Sequence, residues 1–322
     1  MSGGVKCTRG EGSKTAARRG VATAIRRIGL LLVFISTIPL AGCPHQPAPT
    51  PVVGGPLRVV TTIYPLADWV KQMYGDRVQV TCLLKPGMSV HTYEPTPEDM
   101  VTVSKADVVF SVGLGLEEWV GKIAQAGGAK SKMHPLGDET FVQQLQGSRD
   151  QLIEDNPHVW MDPMLAIPMC RRIATILEQL RPELASSWVS GADAYEDELR
   201  ALAKECETAF RGHAGQGVVT FHNAFTYLLR RSGLQQLGVI EEFPGKEPSS
   251  VYLEDLVKQM RGYKLHVIFA EPQLSDKAAH VIAHEIGGRV EILDDQGDPA
   301  DPNRATYVQI IQYDLAHIKD AL

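Results

Sequence analysis

Four side chains of this 322-residue chain combine a residue type and a placement suited to metal chemistry: His91, His158, His222 and Asp294. His222 directly follows the strand-like run Gly217 to Phe221, and Asp294 directly follows Arg289 to Leu293. His91 lies just beyond the run Arg77 to Leu84, and His158 sits in the rigid stretch Asn156-Pro157-His158-Val159-Trp160-Met161-Asp162-Pro163. Open α/β sheets place ligands at the carboxyl ends of their strands. Three imidazoles and one carboxylate make a nitrogen/oxygen set without thiolate. Such a set suits a borderline divalent ion such as zinc, at bonds of about 2.0–2.2 Å, better than calcium or magnesium, which take oxygen.

The loop that carries His91 runs Lys85-Pro86-Gly87-Met88-Ser89-Val90-His91-Thr92-Tyr93-Glu94-Pro95-Thr96-Pro97. Its prolines fix φ and bias Glu94 and Thr96 away from helical conformation, and Pro97 then opens a helix with Glu98 and Asp99 in its first turn. A histidine on so stiff a loop serves either as a preformed ligand or as the partner of a loop hydrogen bond. Glu271 ends a strand and is expected either to orient a ligand histidine or to cap the chain. His280 and His284 lie four apart on an expected helix, a spacing that puts both imidazoles on one face, for a surface or accessory role. Trp160 and Tyr93 are expected to pack beside the site.

The elements that must position these residues alternate. Strand-like runs at Leu57 to Thr62, Arg77 to Leu84, Asp107 to Val112 and Lys132 to Leu136 are separated by helical patterns at about Ala67 to Tyr74, Pro97 to Ser104 and Leu116 to Gln125. A second alternation has strands at Gly217 to Phe221, Gly238 to Phe243, His266 to Ala270 and Arg289 to Leu293, with helices between them and a last helix at Tyr307 to Ala321. Between the two series, Trp188, Ala192, Tyr195, Leu199, Leu202 and Cys206 recur at helical spacing and draw one apolar stripe. The fold class is therefore α/β: two lobes, each a mostly parallel sheet flanked by helices, joined by one long helix. The expected divisions are 57–182 for the amino-terminal lobe, 183–212 for the linking helix and 213–322 for the carboxyl-terminal lobe.

What precedes Leu57 reads as address and tether. Residues 1–42 hold seven Lys/Arg, followed by the apolar run Gly29 to Gly42, too short and proline-interrupted for a convincing membrane span and fitting a signal peptide. Leu40-Ala41-Gly42-Cys43 looks like a lipobox, in which the Cys43 thiol carries a lipid, and the proline-rich 43–56 reads as an extended tether. Without residues 1–42, 25 basic and 37 acidic side chains remain, a charge of −12 that argues against nucleic acid as a partner. Beyond Cys43 only Cys82, Cys170 and Cys206 remain, without C-x-x-C spacing, so no zinc ribbon or redox motif is expected.

Taken in order, Gly87 to Pro97, Asn156 to Pro163, Phe221-His222-Asn223-Ala224-Phe225-Thr226-Tyr227, and Glu247-Pro248-Ser249-Ser250 with Ile268-Phe269-Ala270-Glu271 resemble the motifs of zinc/manganese substrate-binding lipoproteins of ABC importers, the cluster A-I (TroA/ZnuA-like) periplasmic proteins. The resemblance implies a metal between the lobes, with His91, His158 and His222 as ligands and Asp294 as the carboxylate. Where that family usually reads Leu-Asp-Pro, this chain has Leu293-Asp294-Asp295, so Asp295 is a rival for the fourth ligand. A histidine at 222, where manganese-specific members tend to carry glutamate, favours Zn²⁺, with Mn²⁺ or Fe²⁺ as the alternative. The histidine-rich loop of many zinc-specific relatives is missing, since the stretch from Gly137 to Asn156 contains no histidine. The resemblance further implies a non-enzymatic, monomeric, lipid-anchored protein of the bacterial envelope whose partners are an ABC permease and its ATPase. A metallohydrolase using Glu271 as base and an additional adhesin role are the competing readings.

Overall fold

The computed structural model of the chain describes residues 55–126, 128, 130–137, 156–241 and 244–322. The signal-peptide run, Cys43 with its lipobox, most of the tether and most of the loop before Asn156 lie outside the described residues. Residues 51–322 belong to one compact unit.

Two four-stranded parallel sheets are found among the described residues. The first contains β1 (Leu57–Thr61), β2 (Val78–Cys82), β3 (Val108–Ser111) and β4 (Met133–Pro135), in the order β2-β1-β3-β4. The second contains β5 (Gly217–Thr220), β6 (Gln235–Val239), β7 (Val267–Ala270) and β8 (Arg289–Ile292), in the matching order β6-β5-β7-β8. Every strand of β3 and β7 is buried along its length, as expected of central parallel strands covered on both faces. One strand is displaced from its expected place: β6 covers Gln235–Val239, not the run from Gly238. As an edge strand it tolerates the polar Gln235-Gln236, which conceal it from a search for apolar runs, and Val239-Ile240 only finish the pairing against the end of β5.

The helices are α1 (Tyr64–Tyr74), α2 (Pro97–Lys105), α3 (Val120–Ala126), α4 (Pro163–Leu180), α5 (Ala185–Ala209), α6 (Thr226–Arg231), α7 (Ser250–Tyr263), α8 (Lys277–Ile286) and α9 (Tyr307–Ala321). Their starts are written locally. Thr96 and Asp99 form a reciprocal capping box ahead of α2, and Asp162, Ser249 and Thr306 accept backbone N–H groups at the starts of α4, α7 and α9.

Helix α5, 25 residues and about 37 Å long, buries all six residues of the apolar stripe. It packs on α1, α4, α6 and α9. The approach to α1 is close enough that a Cβ at Gly191 would meet the Met73 carbonyl oxygen at 2.4 Å. Gly191→Ala is therefore expected to destabilise the fold by about 1–3 kcal/mol, read as a lower urea midpoint.

The connection between the sheets is broader than one helix. The apolar core around β1 and β3 continues into Phe225, Phe269, Leu293, Tyr307 and Ile311 of the second half. Polar ties reinforce it: the Tyr307 N–H donates to Asp68 Oδ2 at 2.7 Å, and the Tyr64 hydroxyl donates to the Ala305 carbonyl at 2.6 Å. Trp69 and Tyr307 meet edge to face at 5.2 Å. A close-packed waist of this kind resists large rearrangement.

Candidate metal centre

His91 is held by its neighbours rather than by its own strand. The Trp119 indole N–H donates to the Val90 carbonyl at 2.9 Å, and the Tyr93 ring packs against Trp119 at 4.8 Å. The Tyr93 hydroxyl donates to Asp99 Oδ2 at 2.7 Å, so the capping box of α2 also anchors the loop. Trp119 gave no sign of this in the sequence, because it lies outside the motif it supports.

His158 is 1 % exposed and pinned from both halves. Its ring Nδ1 donates to Asn156 Oδ1 at 2.7 Å, and the Asn156 amide donates in turn to the Asn223 carbonyl at 2.9 Å, beside His222. The same stretch places Trp160, whose indole N–H donates to the Asp295 carbonyl at 2.8 Å, and Asp162, which takes three hydrogen bonds from Arg231. Trp160 thus does more than pack beside the site: it fixes the backbone of the rival carboxylate.

His222 follows β5 and Glu271 follows β7, the two central strands at which the order of the second sheet reverses. Their side chains meet there. The Glu271 carboxylate accepts from His222 Nδ1, with its oxygens at 2.6 and 2.7 Å, and both residues are 2 % exposed. A carboxylate beside Nδ1 fixes the tautomer and leaves Nε2 as a bare lone pair, the usual support of a metal-bound imidazole. Asn156 does the same for His158.

The outcome is a cluster. Nε2 of His158 lies 3.1 Å from Nε2 of His91 and 3.2 Å from Nε2 of His222, and ligand atoms of the three lie within 4.8 Å of one another. In a tetrahedral site with Zn–N bonds of about 2.05 Å the nitrogens stand about 3.3 Å apart. With Nδ1 of His158 and of His222 donating, their lone pairs converge. That is unfavourable unless a proton or a cation lies between them.

The two rival carboxylates are placed differently. Asp294 is 1 % exposed and saturated: Oδ1 accepts from the Gln273 amide and the Gln296 and Gly297 N–H groups, and Oδ2 accepts from Arg304 at 2.5 Å. Asp295, 4 % exposed, lines a pocket with His91, His222, Glu271 and Gln273. Its Oδ2 accepts from Gln296 Nε2 at 2.9 Å. The enclosed space is about 10 Å³, roughly that of one water or one ion and far below a site for an organic ligand.

Electrostatics follow burial. Burial, then repulsion from His222, pushes His91 down to about 3, and burial with both neighbouring rings holds His158 well below its usual range. Burial also opposes charge on His222, but the Glu271 carboxylate outweighs it and raises the pKa. Burial followed by the Glu271 charge pushes Asp295 up to about 7. Glu271→Ala, which removes the acceptor that fixes the His222 tautomer, is expected to weaken zinc binding about 10- to 100-fold, measurable by competition with a chromophoric chelator. His280 and His284 lie away from this cluster, on the exposed face of α8.

Several known proteins resemble this chain over most of its length. The chain is 28 % identical over 279 residues to the zinc-binding lipoprotein AdcA of Streptococcus pneumoniae, covering 84 % of this chain and 55 % of AdcA. It thus spans about half the length of that relative. It is 26 % identical over 283 residues to the high-affinity zinc uptake protein ZnuA of Bacillus subtilis, covering 84 % of this chain and 88 % of ZnuA. Among solved structures, the laminin-binding protein of Streptococcus agalactiae, described as bifunctional with adhesin and metal-transporting activity, superposes with a TM-score of 0.71 at 29 % identity, over 83 % of this chain and 99 % of that one. The profile of the periplasmic component A of the zinc-uptake complex matches residues 59–321, and the chain belongs to that family, the ZnuA family.

Proposed function

We propose that the chain is the extracytoplasmic solute-binding component of an ABC importer, and that it captures Zn²⁺ and delivers it to the membrane permease. Nε2 of His91, His158 and His222 bind the ion, and Asp295 supplies the fourth ligand in place of Asp294, whose carboxylate is engaged by Arg304. The observation that carries the reading is the convergence of the three Nε2 atoms at 3.1 and 3.2 Å, close to the edge of a zinc tetrahedron.

The ion is cargo, so no reaction is assigned. Four protein ligands close the coordination sphere, whereas hydrolytic zinc keeps a position open for water. Glu271, the one residue considered as a hydrolytic base, is held on His222 Nδ1. Lipid attachment at Cys43 with the tether of residues 43–56 would hold a monomer at the outer face of a bacterial membrane, beside the permease and its ATPase. Among the described residues no helix is long and apolar enough to cross a membrane. The packed waist supports a modest closure of the lobes around the ion.

Titration of metal-stripped protein tests the function. One equivalent of Zn²⁺ is expected to bind tightly, and Mn²⁺ is expected to fail to displace it at equal concentration, because imidazole-rich sites favour zinc over manganese. Failure to bind zinc, or ready displacement by Mn²⁺, would overturn the assignment.

A further inference from the structure

We propose that the exposed face of α8 is an accessory site for a divalent transition-metal ion, held by His280 and His284 and supported by Asp276. The two histidines are one helical turn apart, both exposed, with their Cβ atoms about 6 Å apart on one face. That spacing lets two imidazoles reach one ion, as paired histidines do in helical zinc motifs.

Asp276 is the residue immediately before the first turn of α8, and its Oδ2 lies 3.2 Å from His280 Nε2. An ionised carboxylate only accepts, so Nε2 carries the proton and Nδ1 keeps the lone pair that a metal needs. The His280 side chain is 64 % exposed, so it can turn toward His284 without repacking the core. The buried side of the helix is formed by Ala279, Ile282, Ala283 and Ile286, which anchors the backbone on which the pair stands. Glu285, next to His284, adds negative charge at the edge of the face, partly offset by Arg261 at 3.6 Å.

The position on the chain gives the site its interest. Glu271, Gln273 and Leu274 line the central pocket, and Asp276 follows two residues later. One short segment therefore leads from the interior cluster to the exposed pair. Two imidazoles in place of three imidazoles and a carboxylate bind more weakly, by roughly a thousandfold or more if each ligand contributes comparably.

Zinc binding to the full chain, followed by calorimetry or equilibrium dialysis, tests this. Wild-type protein is expected to take up a second, weaker equivalent. His284→Ala and His280→Ala are each expected to lose that equivalent while keeping the first and an unchanged thermal midpoint. In His158→Ala the weak equivalent is expected to persist while the tight one is weakened, so failure of this site and failure of the central one read separately. A single equivalent in the wild type, or a second one that survives the double variant His280→Ala/His284→Ala, would overturn the proposal.

Discussion

Zinc affinity is expected to fall about a hundred- to a thousandfold in His158→Ala, more than in any other single ligand variant. A four-ligand zinc site is worth roughly 10–16 kcal/mol, or about 2.5–4 kcal/mol per ligand. His158 stands at the middle of the cluster, with both other Nε2 atoms within 3.2 Å of its own, and it is pinned through Asn156 to the backbone beside His222. Its removal takes away a ligand and also the reference point against which the other two are placed. Competition titration gives the affinity, and circular dichroism separates a lost ligand from a lost fold. Affinity within a few-fold of the wild type in a folded variant would rule out the three-histidine site.

The second large effect is a contrast between neighbours. Asp295→Ala is expected to weaken zinc binding about a hundredfold with little change in melting temperature, since the removed carboxylate faces the pocket. Asp294→Ala is expected to do the reverse in the main. It leaves Arg304 paired with Asp301 alone and frees three N–H donors, each buried donor left unsatisfied costing roughly 1–3 kcal/mol. The pH profile is a further discriminator. Zinc must displace the protons held by Asp295, pushed up to about 7, and by His222, whose pKa is raised, so affinity falls as pH drops through that region. The limiting slope is about tenfold per displaced proton per pH unit. His91 and His158 stay unprotonated well below pH 6.5 in the metal-free fold and add nothing to that slope. The wild type should therefore lose affinity more steeply with falling pH than Asp295→Ala. A flat profile between about pH 7.5 and 5 would remove the site as drawn.

A packed waist, not a loop hinge, joins the two halves of the chain. The core passes through the waist, Asp68 holds the start of α9 and Trp160 holds the Asp295 carbonyl, so both halves of the site are braced to the same body.

Much of this was legible in the sequence. Alternation of strand and helix periods dictates two parallel α/β sheets, because period-2 and helical apolar patterns bury in only a few ways. The stripe from Trp188 to Cys206 announces α5, and His91, His158 and His222 are conspicuous as histidines at strand ends or in proline-stiffened loops. Local signals fail where the deciding partner is distant. Nothing local distinguishes Asp294 from Asp295, two identical residues after one strand. Arg304, ten residues on, and Trp160, 135 residues back, make that distinction, by occupying one carboxylate and fixing the backbone of the other. The edge strand β6 is hidden for a related reason, since its polar residues are admissible only because the sheet ends there. Residue patterns alone place the other seven strands of the two sheets and nominate the candidate ligands. Tertiary structure decided which nitrogens converge and which acid faces them, because proximity and hydrogen-bond saturation arise only once distant segments pack.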